Sequence, residues 1–305
     1  MKRFCLVIGI IASCVFCVCS NAQVQEIEQK LSTFTSVSVS DGFDVILRKA
    51  DKHSIVLTVD KVLADYVKVE VKSRTLYLEF DNKAVPKELK KQYSGRNGQT
   101  PTLKAVVYLH SLEGIELKED AKLSSLSAFE GGSFLITATN NSIIRDLEVS
   151  GSNIKVAVDK KSTATLKLEA DNLDLNAAGA SALSVSHSSK NLTVNAKGSS
   201  NTVANGDAES MVVNGDNSSK VKVSGKTDEL VVRGQRSCEI ELTGVETPRA
   251  DVVLTGSCTV MESATDELRV DISGGSKLYF DGADHVRDVN KTFKSTRMLK
   301  VPPYL

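Results

Sequence analysis

Histidines, carboxylates, hydroxyls and thiols are the groups in this 305-residue chain that could do chemistry, and their spacing decides how much they can do. The four histidines, His53, His110, His187 and His285, stand far apart and share no metal-ligand spacing. Cleaving an acidic polysaccharide needs an acid/base pair, or a carboxylate cluster that holds a cation beside a Lys or Arg able to take a proton. The acids that come nearest are Glu209, Asp228 with Glu229, Asp251, and Asp266 with Glu267, interrupted by Lys190 and Arg249. They fall at polar turns, where solvated charges belong in any case. An enzyme of this kind would bring two or more carboxylates, or a carboxylate cluster with Lys or Arg, together in one groove. The serines lack a Gly-x-Ser-x-Gly elbow and read as turn residues. No Gly-Gly-x-Gly-x-Asp phrase marks a calcium-bound roll. No catalytic, metal or cofactor-binding residue is assigned.

The elements that must position these residues begin after a leader. Lys2 and Arg3 precede an apolar run from Phe4 to Val18 and the small-residue site Ser20-Asn21-Ala22, so residues 1–22 read as a signal peptide and the chain as exported, to periplasm, cell surface or medium. Ile11-Ala12-Ser13-Cys14 also resembles a lipoprotein box. The residues after Cys14 stay apolar instead of forming a polar tether, so cleavage after Ala22 is preferred and a lipid anchor at Cys14 is the lesser reading. No later stretch is long and apolar enough for a transmembrane helix. Lys plus Arg equals Asp plus Glu, 38 each, which announces no nucleic-acid partner.

Beyond the leader the chain repeats itself. Leu173-Asp-Leu-Asn, Leu192-Thr-Val-Asn, Met211-Val-Val-Asn and Leu230-Val-Val-Arg start nineteen residues apart, each followed by a second short alternation such as Leu183/Val185 or Val221/Val223. The period of two excludes helical repeats. Units of this length built from short strands predict an all-β, single-domain, right-handed parallel β-helix of about 19 residues per coil. The expected domain runs over 23–290, with less regular first coils at 34–140, regular repeats at 147–282, and a tail or cap at 291–305. A bulging loop is expected at 245–250, where the unit around Pro248 is longer. Caps are expected from 24–34 and from the chain after 283.

Stacked coils put equivalent residues in contact about 4.8 Å apart. Asn176, Asn195 and Asn214 should therefore form a structural ladder whose amides bond along the stack. The following position, Ala177, Ala196, Gly215 and Gly234, is read as small because the chain turns a tight corner there. Ser181, Ser200, Ser219, Cys238, Cys258 and Ser276 fall in one column, so the two cysteines outside the leader sit on adjacent coils. They are either a disulfide or a stacked pair of small buried residues.

The segment 82–103, with its lysines and a Gly/Asn/Gln/Thr run, reads as an exposed excursion. Lys90, Lys91, Tyr93 and Arg96 in it are the binding-loop candidates. The chain has no Trp and few Tyr, so stacking on a glycan along the coils is not expected.

Phe34-Thr-Ser-Val-Ser-Val-Ser-Asp-Gly-Phe-Asp-Val-Ile-Leu, Val67-Lys-Val-Glu-Val-Lys-Ser-Arg-Thr-Leu-Tyr-Leu-Glu-Phe and the later Leu-x-Val-x-Gly-Ser units resemble the exported Bacteroidetes-type domain called "putative autotransporter adhesin, head GIN domain". The likeness spans roughly 34–290. It implies a right-handed β-helix at the envelope or outside the cell, and it brings no established activity or catalytic residues. A self-exporting autotransporter needs a barrel of membrane strands. The repeats here run to about residue 282, leaving a short tail, so self-export is not expected. Together these readings predict a non-catalytic, adhesin-like interaction protein of the bacterial cell envelope, binding a surface glycan or protein and needing no cofactor. The alternative is a carbohydrate-active β-helix enzyme, a polysaccharide lyase or glycoside hydrolase.

Overall fold

Apolar and polar residues alternate at period two through nearly every element, so each strand turns one row inward and one outward. In the computed structural model, which describes residues 24–93, 100–263, 266–281, 285–288 and 297–300, these strands stack in parallel into a β-solenoid of about 9 turns, about 19 residues apart. The leader with Cys14, and Arg96 of the excursion, lie outside the described residues.

At the start of the chain, sequence order and stacking order part company. Strands β1 (Val24–Lys30), β2 (Ser36–Val39), β3 (Asp44–Lys49) and β4 (Ser54–Asp60) lead through a short 3-10 helix (Lys61–Tyr66) to β5 (Val67–Lys72) and β6 (Thr75–Phe80). Helix α1 (Lys87–Gln92) then precedes β7 (Leu103–Leu109), β8 (Gly114–Leu117) and β9 (Lys122–Ser125). β2 lies between β6 and β8, and β3 lies between β7 and β9. The coil made by 36–49 is therefore sandwiched between one made by residues 75–109 and one made by 114–125. Beyond it the pairing turns antiparallel: β5 folds back on β6, β4 on β7, and β1 on β4. β1 carries Glu26, Glu28 and Lys30 exposed along this end, charges that discourage another strand from adding there. The alternation in the sequence is common to parallel and antiparallel strands, so it does not reveal these reversals.

From β10 (Phe129–Ala138) onward the stacking is sequential. β11 (Ile143–Val158), β12 (Thr163–Ala177), β13 (Ala182–Lys197) and β14 (Asn201–Asp216) each run along two sides of a coil, where the sequence suggests two short strands. The corner is a slip in phase: in β12 Ala164, Leu166, Leu168 and Ala170 point inward, Asp171 and Asn172 both point out, and Leu173, Leu175 and Ala177 point inward again. Hydrogen bonding continues on both sides of the slip. The following coils divide into β15 (Lys220–Lys226), β16 (Glu229–Gln235), β17 (Glu239–Glu246), β18 (Arg249–Leu254), β19 (Thr259–Ser263), β20 (Glu267–Ile272), β21 (Lys277–Asp281), β22 (His285–Asp288) and β23 (Arg297–Lys300). The longer unit before Pro248 makes no bulging loop at 245–250. Its extra residue is absorbed inside β17, where Lys222 pairs with Glu241 but Ser224 pairs with Gly244, and only Thr247 and Pro248 separate β17 from β18. Stacking continues past 283, with β22 on β20 and β23 on β21.

The interior is one apolar file per inward position. Leu173, Leu192, Met211 and Leu230 are all at most 2% exposed, as are Leu175, Val194, Val213 and Val232. Ala177, Ala196 and Gly215 also face inward, so their small size is not a corner requirement. A Cβ on Gly215 would come 3.0 Å from Ile240 Cδ1 and 3.2 Å from Cys238 Sγ of the next coil, so packing sets the size. The tight turns fall two residues later, at Gly179, Gly198 and Asn217, all with positive φ.

Candidate functional site

On the outer face, Asn176, Asn195 and Asn214 stand in register, and the amides bond from coil to coil. Asn195 Nδ2 donates to Asn176 Oδ1 at 3.1 Å, and Asn214 Nδ2 to Asn195 Oδ1 at 2.9 Å. The file ends at Asp174, whose Oδ1 accepts from Asn176 Nδ2 at 2.9 Å. A second asparagine file, not anticipated, occupies the corner: Asn172 Nδ2 donates to Asn153 Oδ1 at 3.0 Å and Asn191 Nδ2 to Asn172 Oδ1 at 2.9 Å. The same nineteen-residue alignment contains it. This exposed file borders a groove of 490 Å³ that also takes in Glu113, Leu135, Lys155 and Asp174, with Leu135 half exposed. Ion pairs between adjacent coils repeat the pattern elsewhere on the surface, Glu148 with Lys167 at 2.8 Å and Glu241 with Lys222 at 2.7 Å. Such exposed pairs contribute about 0–1 kcal/mol each.

The serine column is buried, from Ser142 and Ser162 through Ser181, Ser200 and Ser219 to Cys238, Cys258 and Ser276. Cys238 and Cys258 lie on adjacent coils as free thiols, with Sγ atoms 2.8 Å apart. Burial, and then the neighbouring thiol, push the Cys238 thiol well above its ordinary range.

Of the binding-loop candidates, Lys90 and Tyr93 line one pocket of 500 Å³ at the reversed end of the solenoid, over an apolar floor that includes Leu63, Phe80, Val85 and Leu103. Asp41, Glu119 and Asp120 form an acidic rim. Burial, with Asp60 beside it, raises the Tyr93 phenol. Lys91 is exposed and does not line this pocket.

The corner acids divide. Glu209 and Asp228 share an open groove of 620 Å³ with Asp207, Glu246 and Lys226. Glu229 instead pairs with Arg249 at 3.2 Å, Asp251 pairs in register with Arg269, and Asp266 is exposed outside this groove. In residue type the groove meets the description of an enzyme cleft. In environment it does not: its four acids are solvent-exposed, Asp207 Oδ1 accepts from the Lys226 backbone N–H at 2.8 Å, and Lys226 Nζ pairs with Glu246 at 3.0 Å. A general acid is normally made by burial, which none of these carboxylates has. Among the described residues no cluster of His, Cys, Asp and Glu could hold a metal ion.

The histidines stay apart. His53 bonds the Phe34 carbonyl through Nε2 at 3.1 Å, His110 is exposed and His285 falls in β22. His187 takes an inward position between Leu168 and Gly206, with Nδ1 3.3 Å from Ser189 Oγ and no partner for Nε2. Burial lowers its pKa to about 4, so it sits in the core as neutral imidazole. A buried acid also escapes the spacing argument. Glu262 is 1% exposed, stacked between Leu242 and Phe280, and neither oxygen has a hydrogen-bond partner. Burial alone raises its pKa to about 7. The alternation of β19 could have found it, since Glu262 follows the buried Val260 by two residues.

The family model described as "Putative auto-transporter adhesin, head GIN domain" matches residues 33–206 and 182–283. No curated protein matches significantly. Among solved structures, a "putative adhesin" from Parabacteroides merdae is 18% identical, with TM-score 0.48 over 92% of this chain and 98% of that one. A "putative adhesin" from Parabacteroides distasonis is 20% identical, with TM-score 0.45 over 91% and 97%. A "Putative lipid binding protein" from the same organism is 16% identical, with TM-score 0.42 over 92% and 98%. Among the described residues no helix is long and apolar enough to cross a membrane. With its two matches reaching from residue 33 to residue 283, the chain belongs to the "Putative auto-transporter adhesin, head GIN domain" family.

Proposed function

We propose that this is an exported, non-catalytic interaction protein of the bacterial cell envelope, binding a surface glycan or protein along its stacked outer face. The observation that carries this reading is the exposed Asn153–Asn172–Asn191 file beside the Leu135 groove. It offers polar contacts at one coil's spacing, matched to a partner with its own repeat, and each contact is weak alone but multiplied by number. Lys90 and Tyr93 above the end pocket are a second contact region. Family membership supports a role in adhesion, and the leader read at 1–22 supports export.

The acidic groove around Glu209 favours one second reading, an enzyme acting on polysaccharide. An array of glycans and host-matrix proteins tests both. Wild type should retain a partner that the triple variant Asn153→Ala, Asn172→Ala, Asn191→Ala loses, and no arrayed polysaccharide should be shortened. Chain cleavage abolished by Glu209→Gln would establish the enzyme instead. Unchanged binding by the triple variant would remove the asparagine face from the account.

A further inference from the structure

We propose that Cys238 and Cys258 are a site of oxidative cross-linking, closed into an intrachain disulfide that clamps two adjacent coils. The geometry points there from three sides. Glu239 pairs in register with Thr259, and Thr259 N–H donates to the Cys238 carbonyl at 2.8 Å, so the backbones flanking the cysteines are held one strand spacing apart. That spacing of about 4.8 Å falls within the Cα range of disulfides, about 4.4–6.8 Å. The side chains converge, with Sγ atoms 2.8 Å apart. The interior is also cleared around the sulfurs. A Cβ on Gly234 would come 2.8 Å from Leu254 Cδ2, 3.0 Å from Cys238 Sγ and 3.1 Å from Cys258 Cβ, and one on Gly215 would come 3.0 Å from Ile240 Cδ1 and 3.2 Å from Cys238 Sγ. The position is glycine on the Cys238 coil and on the Ser219 coil before it, and Ala196 and Ala177 on the two coils before that.

The reaction is thiol–disulfide exchange with the disulfide of an oxidising dithiol protein, the reactant an export compartment supplies. Two S–H bonds break and one Sγ–Sγ bond forms. The electron pair reduces the oxidant's disulfide and both protons end on its two sulfurs, so no net proton is released. Exchange needs a thiolate and an open approach. In the closed solenoid Cys238 and Cys258 are 6% and 0% exposed, so the bond must form while these coils are still assembling. Once formed it is sealed from reductant by the same burial.

The test refolds the full chain with glutathione disulfide and a thiol oxidoreductase, then denatures it in alkylating reagent and maps peptides by mass. The expected product is a linked pair of peptides carrying Cys238 and Cys258, both unalkylated. Adding reductant to the folded protein should leave the link intact, and adding it in urea should break it. Cys238→Ser and Cys258→Ser, which restore the residue of the neighbouring coils, should fold and show a lower urea midpoint than oxidised wild type. Cys238 and Cys258 both alkylated after oxidative refolding, or either of them bound to glutathione or to a second chain, would overturn the proposal.

Discussion

Glu262 places a carboxyl group where the solenoid should hold leucine, and its replacement by Met is expected to stabilise the protein increasingly as pH rises. Its neighbours in the inward file are Leu242 below and Phe280 above. Glu239, Glu241, Lys277 and Tyr279 on the same strands alternate to the other face, and burial alone raises the acid from 4.5 to about 7. A group held above its unfolded value lends stability that is complete below pH about 4.5 and is lost as pH rises through about 7. At 1.36 kcal/mol per pH unit the loss is about 3 kcal/mol. Wild type alone will not display it, because His187 acts oppositely. With its pKa lowered from 6.5 to about 4, that residue costs stability as pH falls through the same window, and the two slopes largely cancel. The readable quantity is the difference between Glu262→Met and wild type, from urea unfolding at a series of pH values. That difference should grow by about 3 kcal/mol between pH 4.5 and 7.5. Amide exchange in β19 and β21 should slow in the variant at the upper end. A constant difference across the series would show instead that the carboxylate is solvated or paired in the folded protein.

Asn195→Ala removes the middle of the amide file, leaving Asn176 Oδ1 and Asn214 Nδ2 without their partners, and should lower unfolding stability by about 1–2 kcal/mol. Gly206 has φ +150 and a Cβ there would fall 1.8 Å from the His187 carbonyl oxygen, so Gly206→Ala should cost at least about 3 kcal/mol, read as a collapse of the urea midpoint. Thr202 faces the core with its hydroxyl unpartnered, so Thr202→Val should raise stability by about 1 kcal/mol in the same assay, against the usual trend of core substitutions.

The regular half of the fold was legible because a parallel stack makes like residues touch, and nineteen-residue alignment of 173–232 reads the inner files and the Asn176 file directly. The same nineteen-residue spacing, carried back before 173, holds the Asn153 file, but it lies at a corner where two outward residues interrupt the alternation and hide it. The reversed start was not legible: Val67, Val69 and Val71 alternate as any strand would, and only pairing shows that β5 folds back on β6. Lys90 and Tyr93 stand out in the sequence by charge and ring, and the pocket joining them to Phe80 and Leu103 depends on the displaced end coil, which residue type does not encode. Glu262 and His187 are legible from the strand alternation, which puts both on the inward face.

Each coil lies on the last at one strand spacing with a near-constant register. Glu148, Lys167, Ser186, Asn205 and Ser224 form one outward column through four successive pairings. Spin labels at Glu148 paired in turn with Ser186, Asn205 and Ser224, in a chain with its cysteines replaced by serine, measure this directly. Backbone separations of about 10, 14 and 19 Å are predicted, growing by about 4.8 Å per coil. Distances that do not rise in that order, or that exceed these values by the length of a strand, would contradict the stacked solenoid.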